Sequence, residues 1–180
     1  MSPNEMKKKF VQLINDEIKN KQASKPAYIR IKINHITDTM MVQKLYEASA
    51  NGVPVDLLVR GNCSLMTGIP GVSDNIRING IIDRYLEHSR IFIFAAGGEE
   101  KTFIGSADWM PRNLDNRVEV ITPVYDPEIK ADLRKVIDFG LRDNLQGSVV
   151  DGSGENRLWT TESDVPFRSQ EELYKSYNDK

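Results

Sequence analysis

Residues 28–59 constrain the fold more tightly than any other stretch. Tyr28-Ile29-Arg30-Ile31-Lys32-Ile33 alternates strictly, which places Ile29, Ile31 and Ile33 on the buried side of a strand. Thr37 or Asp38 then caps a helix in which Met41, Leu45 and Ala48 share a face, and Asn51-Gly52 supplies its left-handed stop. Val55-Asp56-Leu57-Leu58-Val59 follows as a short, mostly apolar run suited to a buried strand. Strand, helix and strand in this space make a right-handed βαβ unit, so the chain is expected to be α/β, a sheet flanked by helices. Ligands of such sheets gather at the carboxyl ends of the strands. Arg60 falls there, next to a glycine that lets a ligand approach the backbone. Position alone leaves two roles equally open for it, a phosphate contact or a salt bridge to a neighbouring carboxylate.

The flanking segments extend the pattern. Residues 2–21 read as an amphipathic helix, with Ser2 as N-cap, Pro3 at the first helical position and Glu5 completing a capping box. Phe10, Leu13, Ile14 and Ile18 fall on one face, and lysines 7, 8, 9, 19 and 21 read as a solvated face rather than a phosphate patch. So well-formed a helix start also suits a segment cut from a longer protein. His35, just past a strand end and without Cys, Asp or Glu at ligand spacing, reads as a loop residue or cap. Residues 62–75 are long enough for a functional loop. Ile81, Ile82, Tyr85 and Leu86 suggest a short helix delivering His88, and residues 90–94 and 101–104 a hairpin around Gly97-Gly98. Residues 116–121 alternate as a strand with Arg117 and Glu119 on one face, and Asp126-Pro127 opens a helix with Ile129, Leu133, Val136 and Ile137 inward. Gly147 to Asn156 reads as an exposed loop, and Ser169 and Glu172 cap a last short helix reaching about Tyr177.

Composition narrows the functional classes. A chain of 180 residues fits one domain, divided here into a body at 1–146 and a C-terminal loop and short helix at 147–180. The 24 Lys and Arg against 26 Asp and Glu argue against a generally basic nucleic-acid binder while permitting a local basic site. The single cysteine, Cys63, cannot form an internal disulfide and suits a reducing compartment. With no signal-length apolar core and no run approaching a membrane span, the expectation is a soluble, intracellular chain.

The chemistry concentrates between Asp83 and Ile121. His88 and Arg90 form an H-x-R pair, followed by the small-residue corner Gly105-Ser106-Ala107-Asp108 and then Arg112, Asn113, Arg117 and Glu119. Phosphoryl chemistry needs this set: an imidazole able to carry a proton or phosphoryl group, and rigid cations and backbone amides for the oxygens. The spacing resembles half of the phospholipase D superfamily signature, H-x-K followed by a Gly-Ser-x-Asn-like segment. That superfamily pairs two such halves, and only one is present. A buried histidine paired with Glu119 would satisfy the same spacing.

A longer text is more specific. Leu58-Val59-Arg60-Gly61-Asn62-Cys63, Gly71-Val72-Ser73-Asp74-Asn75-Ile76-Arg77, Asp83-Arg84-Tyr85-Leu86-Glu87-His88, Ser106-Ala107-Asp108-Trp109-Met110 and Arg112-Asn113 stand in order. Together they closely resemble the last catalytic domain of the ATP-dependent, phospholipase D-like polyphosphate kinases, from about Lys7 to Arg142. The resemblance implies a phospholipase D-like mixed sheet flanked by helices. It implies reversible transfer of the ATP γ-phosphoryl to inorganic polyphosphate through a phosphohistidine in the preceding domain, which this chain lacks. In the family pattern His88 matches the second active-site histidine and Arg60 an ATP-phosphate-binding arginine, with Arg117 and Glu119 as a weaker strand pair facing the same site. ATP and ADP, polyphosphate and the other domains of the parent enzyme are the implied partners. A homo-oligomer is implied at full length, and no nucleic acid. Magnesium is implied for the complete enzyme with its ligands outside this chain. The implied location is the cytoplasm, with peripheral contact at the inner membrane left open. Two other readings stay open: a homodimeric phospholipase D-like phosphodiesterase or nuclease, and a phosphate-binding module inactive on its own.

Overall fold

The structure, a computed structural model, describes residues 3–155, 157–161, 163 and 165–178. Its elements in chain order are α1 (Pro3–Gln22), β1 (Ile29–Ile33), α2 (Thr39–Ala50), β2 (Val55–Val59), β3 (Ile76–Ile81), β4 (Ile91–Phe94), β5 (Lys101–Gly105), β6 (Ile121–Val124), α3 (Pro127–Arg142), β7 (Gly147–Val149) and α4 (Ser169–Asn178). The strands form one mixed sheet in the order β6-β5-β4-β1-β2-β3-β7. β1, β2 and β3 are parallel neighbours; β4, β5, β6 and β7 each join antiparallel.

The alternation of β1 decides the layering. Ile29, Ile31 and Ile33 enter the larger core with Val55, Leu57 and Val59 of β2, Phe92 and Phe94 of β4, and the faces of α1 and α2. In α1 that face is Phe10, Leu13, Ile14 and Ile18, as the helical spacing requires, with Met6 added. Leu58, Ile81, Ile91 and Ile93 meet Ile137 of α3 on the opposite face. Ordering these side chains between two helical layers is driven mainly by removing apolar surface from water. Glu17, buried on the inner face of α1, ties the helix to the sheet: its carboxylate accepts from Tyr28 N (3.1 Å) and Ala96 N (2.6 Å). Burial raises its pKa above the ordinary carboxylate value, partly offset by those two bonds.

Several local expectations are revised. Ser2 lies outside the described residues. α2 is capped by Asp38, which accepts from Met41 N (3.1 Å). Residues 82–90 form no helix, because Ile82, Tyr85 and Leu86 stay exposed and supply no buried stripe. The strand expected over 116–121 begins only at Ile121; Arg112–Asn116 winds as a π turn and 117–120 is irregular. Ile129 is exposed, leaving Leu133, Val136 and Ile137 as the inward residues of α3. The loop expected from Gly147 instead opens with β7, which pairs with β3 through Ile81↔Gly147. Three residues are too few to register as a period.

Candidate active site

The strand registers place the chemistry-bearing segments along one edge. The parallel strands end there at Ile33, Val59 and Ile81. Because β4, β6 and β7 run the other way, they begin at that same edge, and β5 ends there. Asn34 and His35, Arg60, the 82–90 segment, Ser106–Asp108 and the approach to β6 therefore all emerge on one side.

A buried carboxylate organises this edge. Asp108 Oδ1 accepts from the backbone N–H of Asn34 (3.0 Å) and His35 (3.3 Å). Its two oxygens also receive the Arg90 fork, Nε at 3.3 Å and Nη2 at 3.1 Å. The cation of the H-x-R pair is thus committed to Asp108. Trp109 anchors the carboxylate from the apolar side. It is fully buried, with ring centroids 5.2 Å from Phe10 and 5.8 Å from Phe92, and its carbonyl accepts from Thr37 and Asp38.

Arg60 joins through Asn34. Its Nε donates to Asn34 Oδ1 (3.1 Å), and among the described residues it forms no salt bridge. The guanidinium is therefore held at one nitrogen, with both Nη atoms unengaged by protein groups among the described residues. It lines a cavity of about 280 Å³ with Gly61, Gly80, Ile82 and residues 148–152. Gly61 is required by close approach: a Cβ there would lie against the His35 ring and 3.1 Å from Asn34 O. His35 Nδ1 accepts from Asn62 N (3.0 Å), which is the loop-capping role its position suggested.

His88 is exposed on the irregular segment, and its carbonyl accepts from Arg90 Nη1 (2.6 Å). Its chain neighbours Glu87 and Ser89 line a narrow crevice together with Lys32, Asn34 and Arg60. The structure thus brings the His88 segment and Arg60 to one crevice. Lys32 is buried and ion-paired with Glu87 at this crevice. Alternation alone had set Lys32 merely opposite the isoleucines, and only the crossing of the later segment over β1 buries it.

Glu119 and Arg117 occupy the β5–β6 end. Glu119 is buried and accepts from Ser106 Oγ and from Asn113 Nδ2 (2.7 Å), so both its oxygens are engaged and no histidine pairs with it. Gly105 permits this corner, since a Cβ there would collide with Val120 O and Ile121. Arg117 is exposed, while Glu119 faces inward. The Cys63 thiol is pushed up to about 11 by burial, which keeps it from acting as a thiolate. Among the described residues no three His, Cys, Asp or Glu side chains converge to hold a metal ion.

Comparison with known proteins matches residues 1–170 to the family model described as polyphosphate kinase C-terminal domain 2. The polyphosphate kinase of Escherichia coli (strain K12) is 41% identical over 174 residues, 97% of this chain and 25% of that protein. The crystal structure of polyphosphate kinase from Porphyromonas gingivalis superposes with a TM-score of 0.92 at 40% identity, covering 97% of this chain and 27% of that one. Nuc of Salmonella typhimurium, a phospholipase D family member, shares the fold at a TM-score of 0.55 and 12% identity, over 79% of this chain and 90% of its own. The chain spans about a quarter of the length of its polyphosphate kinase relatives.

Proposed function

The chain belongs to the polyphosphate kinase family, as its C-terminal domain 2, and from that premise we propose that it supplies one wall of a phosphoryl-transfer site. There the ATP γ-phosphoryl passes reversibly to inorganic polyphosphate. The observation that carries this reading is the meeting of Arg60 with the His88 segment at one crevice of the sheet edge. A phosphoryl group in transfer spreads negative charge over its oxygens, so positioned cations dominate catalysis. Arg60, fixed at Nε with both Nη atoms unengaged among the described residues, is suited to clamp those oxygens. His88, exposed between the crevice residues Glu87 and Ser89, contacts or protonates the group in transit.

In this reading the phosphohistidine belongs to the preceding domain, and the rest of the parent enzyme is this chain's obligatory partner. Residues 3–146 form the phospholipase D-like body, β7 (Gly147–Val149) completes its sheet, and α4 (Ser169–Asn178) closes the same domain. Arg117 is a further phosphate contact; Glu119 supports the corner through Ser106 and Asn113. ATP and ADP and polyphosphate are the substrates, and the full-length protein is a homo-oligomer. Magnesium is expected for the complete enzyme with its ligands outside this chain; among the described residues no three His, Cys, Asp or Glu side chains converge to hold a metal ion. A cytoplasmic protein accommodates this chemistry, and among the described residues no helix is long and apolar enough to cross a membrane.

The test is made in a complete polyphosphate kinase carrying this domain. Arg60→Ala should cost about 2–4 kcal/mol of transition-state stabilisation, the scale of one preorganised donor. His88→Ala should abolish polyphosphate synthesis while the domain stays folded. Near-normal turnover in folded Arg60→Ala enzyme would make Arg60 structural, and synthesis by folded His88→Ala enzyme would remove His88 from the site. Taken alone, the chain is a binding module that holds phosphates without turnover, a reading favoured by its spanning a quarter of its relatives. Phosphodiester hydrolysis by the isolated chain would instead favour a phospholipase D-like activity.

A further inference from the structure

The segment leading into His88 has no regular structure and exposes Ile82, Tyr85 and Leu86, so apolar burial does little to order it. Polar side chains from the start of α4 hold it instead. The Arg168 guanidinium grips Asp83, with Nε 3.0 Å from Oδ2 and Nη2 2.5 Å from Oδ1, and the Asp83 side chain is only 2% exposed. Hydrogen bonds from Arg168 hold the Asp83 carboxyl below its ordinary range despite burial. Gln170 brackets the backbone two residues on: Oε1 accepts from Tyr85 N (2.8 Å) and Nε2 donates to Tyr85 O (2.8 Å). The same Nε2 donates to Glu87 Oε1 (2.9 Å), and Glu87 pairs on its other side with Lys32 of β1. The grip has its own foundation, because Asp143 beyond α3 accepts from Ser169 N (2.8 Å) and Oγ (2.7 Å).

Three residues of the segment before His88 are therefore fixed from the far end of the chain, and the last of them, Glu87, is its immediate neighbour. We propose that Arg168 and Gln170 are positioning residues for His88: the start of α4 clasps the 83–87 segment and sets where the imidazole stands at the crevice. This inference rests on the role given to His88 above. Of the two, Gln170 is the more telling, since its amide reads both backbone groups of Tyr85 and a bridge to Glu87 at once. An alanine there deletes all three contacts and disturbs no apolar core.

Two measurements separate the clasp from the reading it rests on. The chain has two histidines, His35 and His88, so ring-labelled protein gives two imidazole signals that His88→Ala assigns. Gln170→Ala should shift and broaden the His88 signal and speed amide exchange over residues 83–88. The His35 signal, fixed by Asn62 N, should stay in place and report an intact body. Arg168→Lys, keeping the charge and losing the fork, should give a smaller change of the same kind. In the complete enzyme, Gln170→Ala should lower kcat about 10- to 100-fold, the scale of a misplaced group. KM for ATP should stay within about twofold, because ground-state phosphate binding is left to Arg60. An unmoved His88 signal in folded Gln170→Ala protein overturns the clasp, whatever the enzyme's activity. A moved signal with unchanged kcat overturns its part in catalysis. Retained activity in His88→Ala enzyme would count against the role of His88, and the imidazole signals would still decide the clasp.

Discussion

Arg60 and the segment that carries His88 reach the same crevice by opposite means. Arg60 follows a strand buried along its whole length, and its guanidinium leans on Asn34, whose backbone is held by the buried Asp108. His88 sits on an irregular, exposed segment whose fixed points are Asp83, Tyr85 and Glu87, gripped by residues more than eighty positions away. The cation is part of the sheet, and the imidazole is suspended beside it. A phosphate clamp gains from rigidity, because its value lies in donors that need no reorganisation. Under the proposed function, a group meeting a phosphoryl from another domain gains from a support separate from the core, which can yield without loosening the sheet.

The strongest challenge to this contrast is Asp108→Ala. Asp108 satisfies two backbone N–H groups and the mostly buried Arg90 fork, and its side chain is 6% exposed. Its removal strands a buried cation and two donors, for an expected loss of about 3–5 kcal/mol in global stability by urea unfolding. Gln170→Ala should leave the urea midpoint almost unchanged. If both variants lost similar global stability, the His88 segment would be part of the core and the contrast would fail.

Gly61→Ala sharpens the same comparison with a smaller effect. The added methyl would press on the His35 ring and on Asn34 O, at the joint that carries Arg60. Overpacking of this kind should cost about 1–3 kcal/mol. It should move the His35 imidazole signal and leave that of His88 in place, the reverse of Gln170→Ala. Movement of both signals would mean that the two supports are one.

The contrast also explains what could be read from the residues alone. The β1–α2–β2 unit was legible because its periods are local, and with it came the place of Arg60. Most of the blocks that identify the family lie at the same edge, the exception being Gly71–Arg77 at the start of β3, so the resemblance and the fold point to one edge. The burial of Lys32 and the grip of Arg168 and Gln170 left no local trace, since Gln170 and Tyr85 are 85 residues apart. The alternation at Arg117 and Glu119 looked like a strand. Yet Glu119 is drawn inward by Ser106 and Asn113, and the chain stays irregular until Ile121. The apolar spacing at 81–86 looked helical, yet those side chains face water, where no packing rewards a helix.

The smallest effect is the acid response of the clasp. Asp83 has a depressed pKa in the folded chain, chiefly through its hydrogen bonds from Arg168. A depressed carboxylate contributes its stability fully above its ordinary value of 3.8 and loses it as pH falls through the folded value. Asp83→Asn should therefore be less stable than the wild-type chain near neutrality, and the gap should close as the solution is acidified below that ordinary value. Thermal unfolding of both proteins across that range gives the comparison. The effect should be modest because Arg168 is 31% exposed and water screens the pair. Acid should also loosen residues 83–88 as pH falls through the folded value of Asp83, visible as loss of amide protection in the segment with β1 and β2 still protected. Simultaneous loss would mean that Asp83 supports the sheet as a whole, and His88 would then be as firmly built in as Arg60.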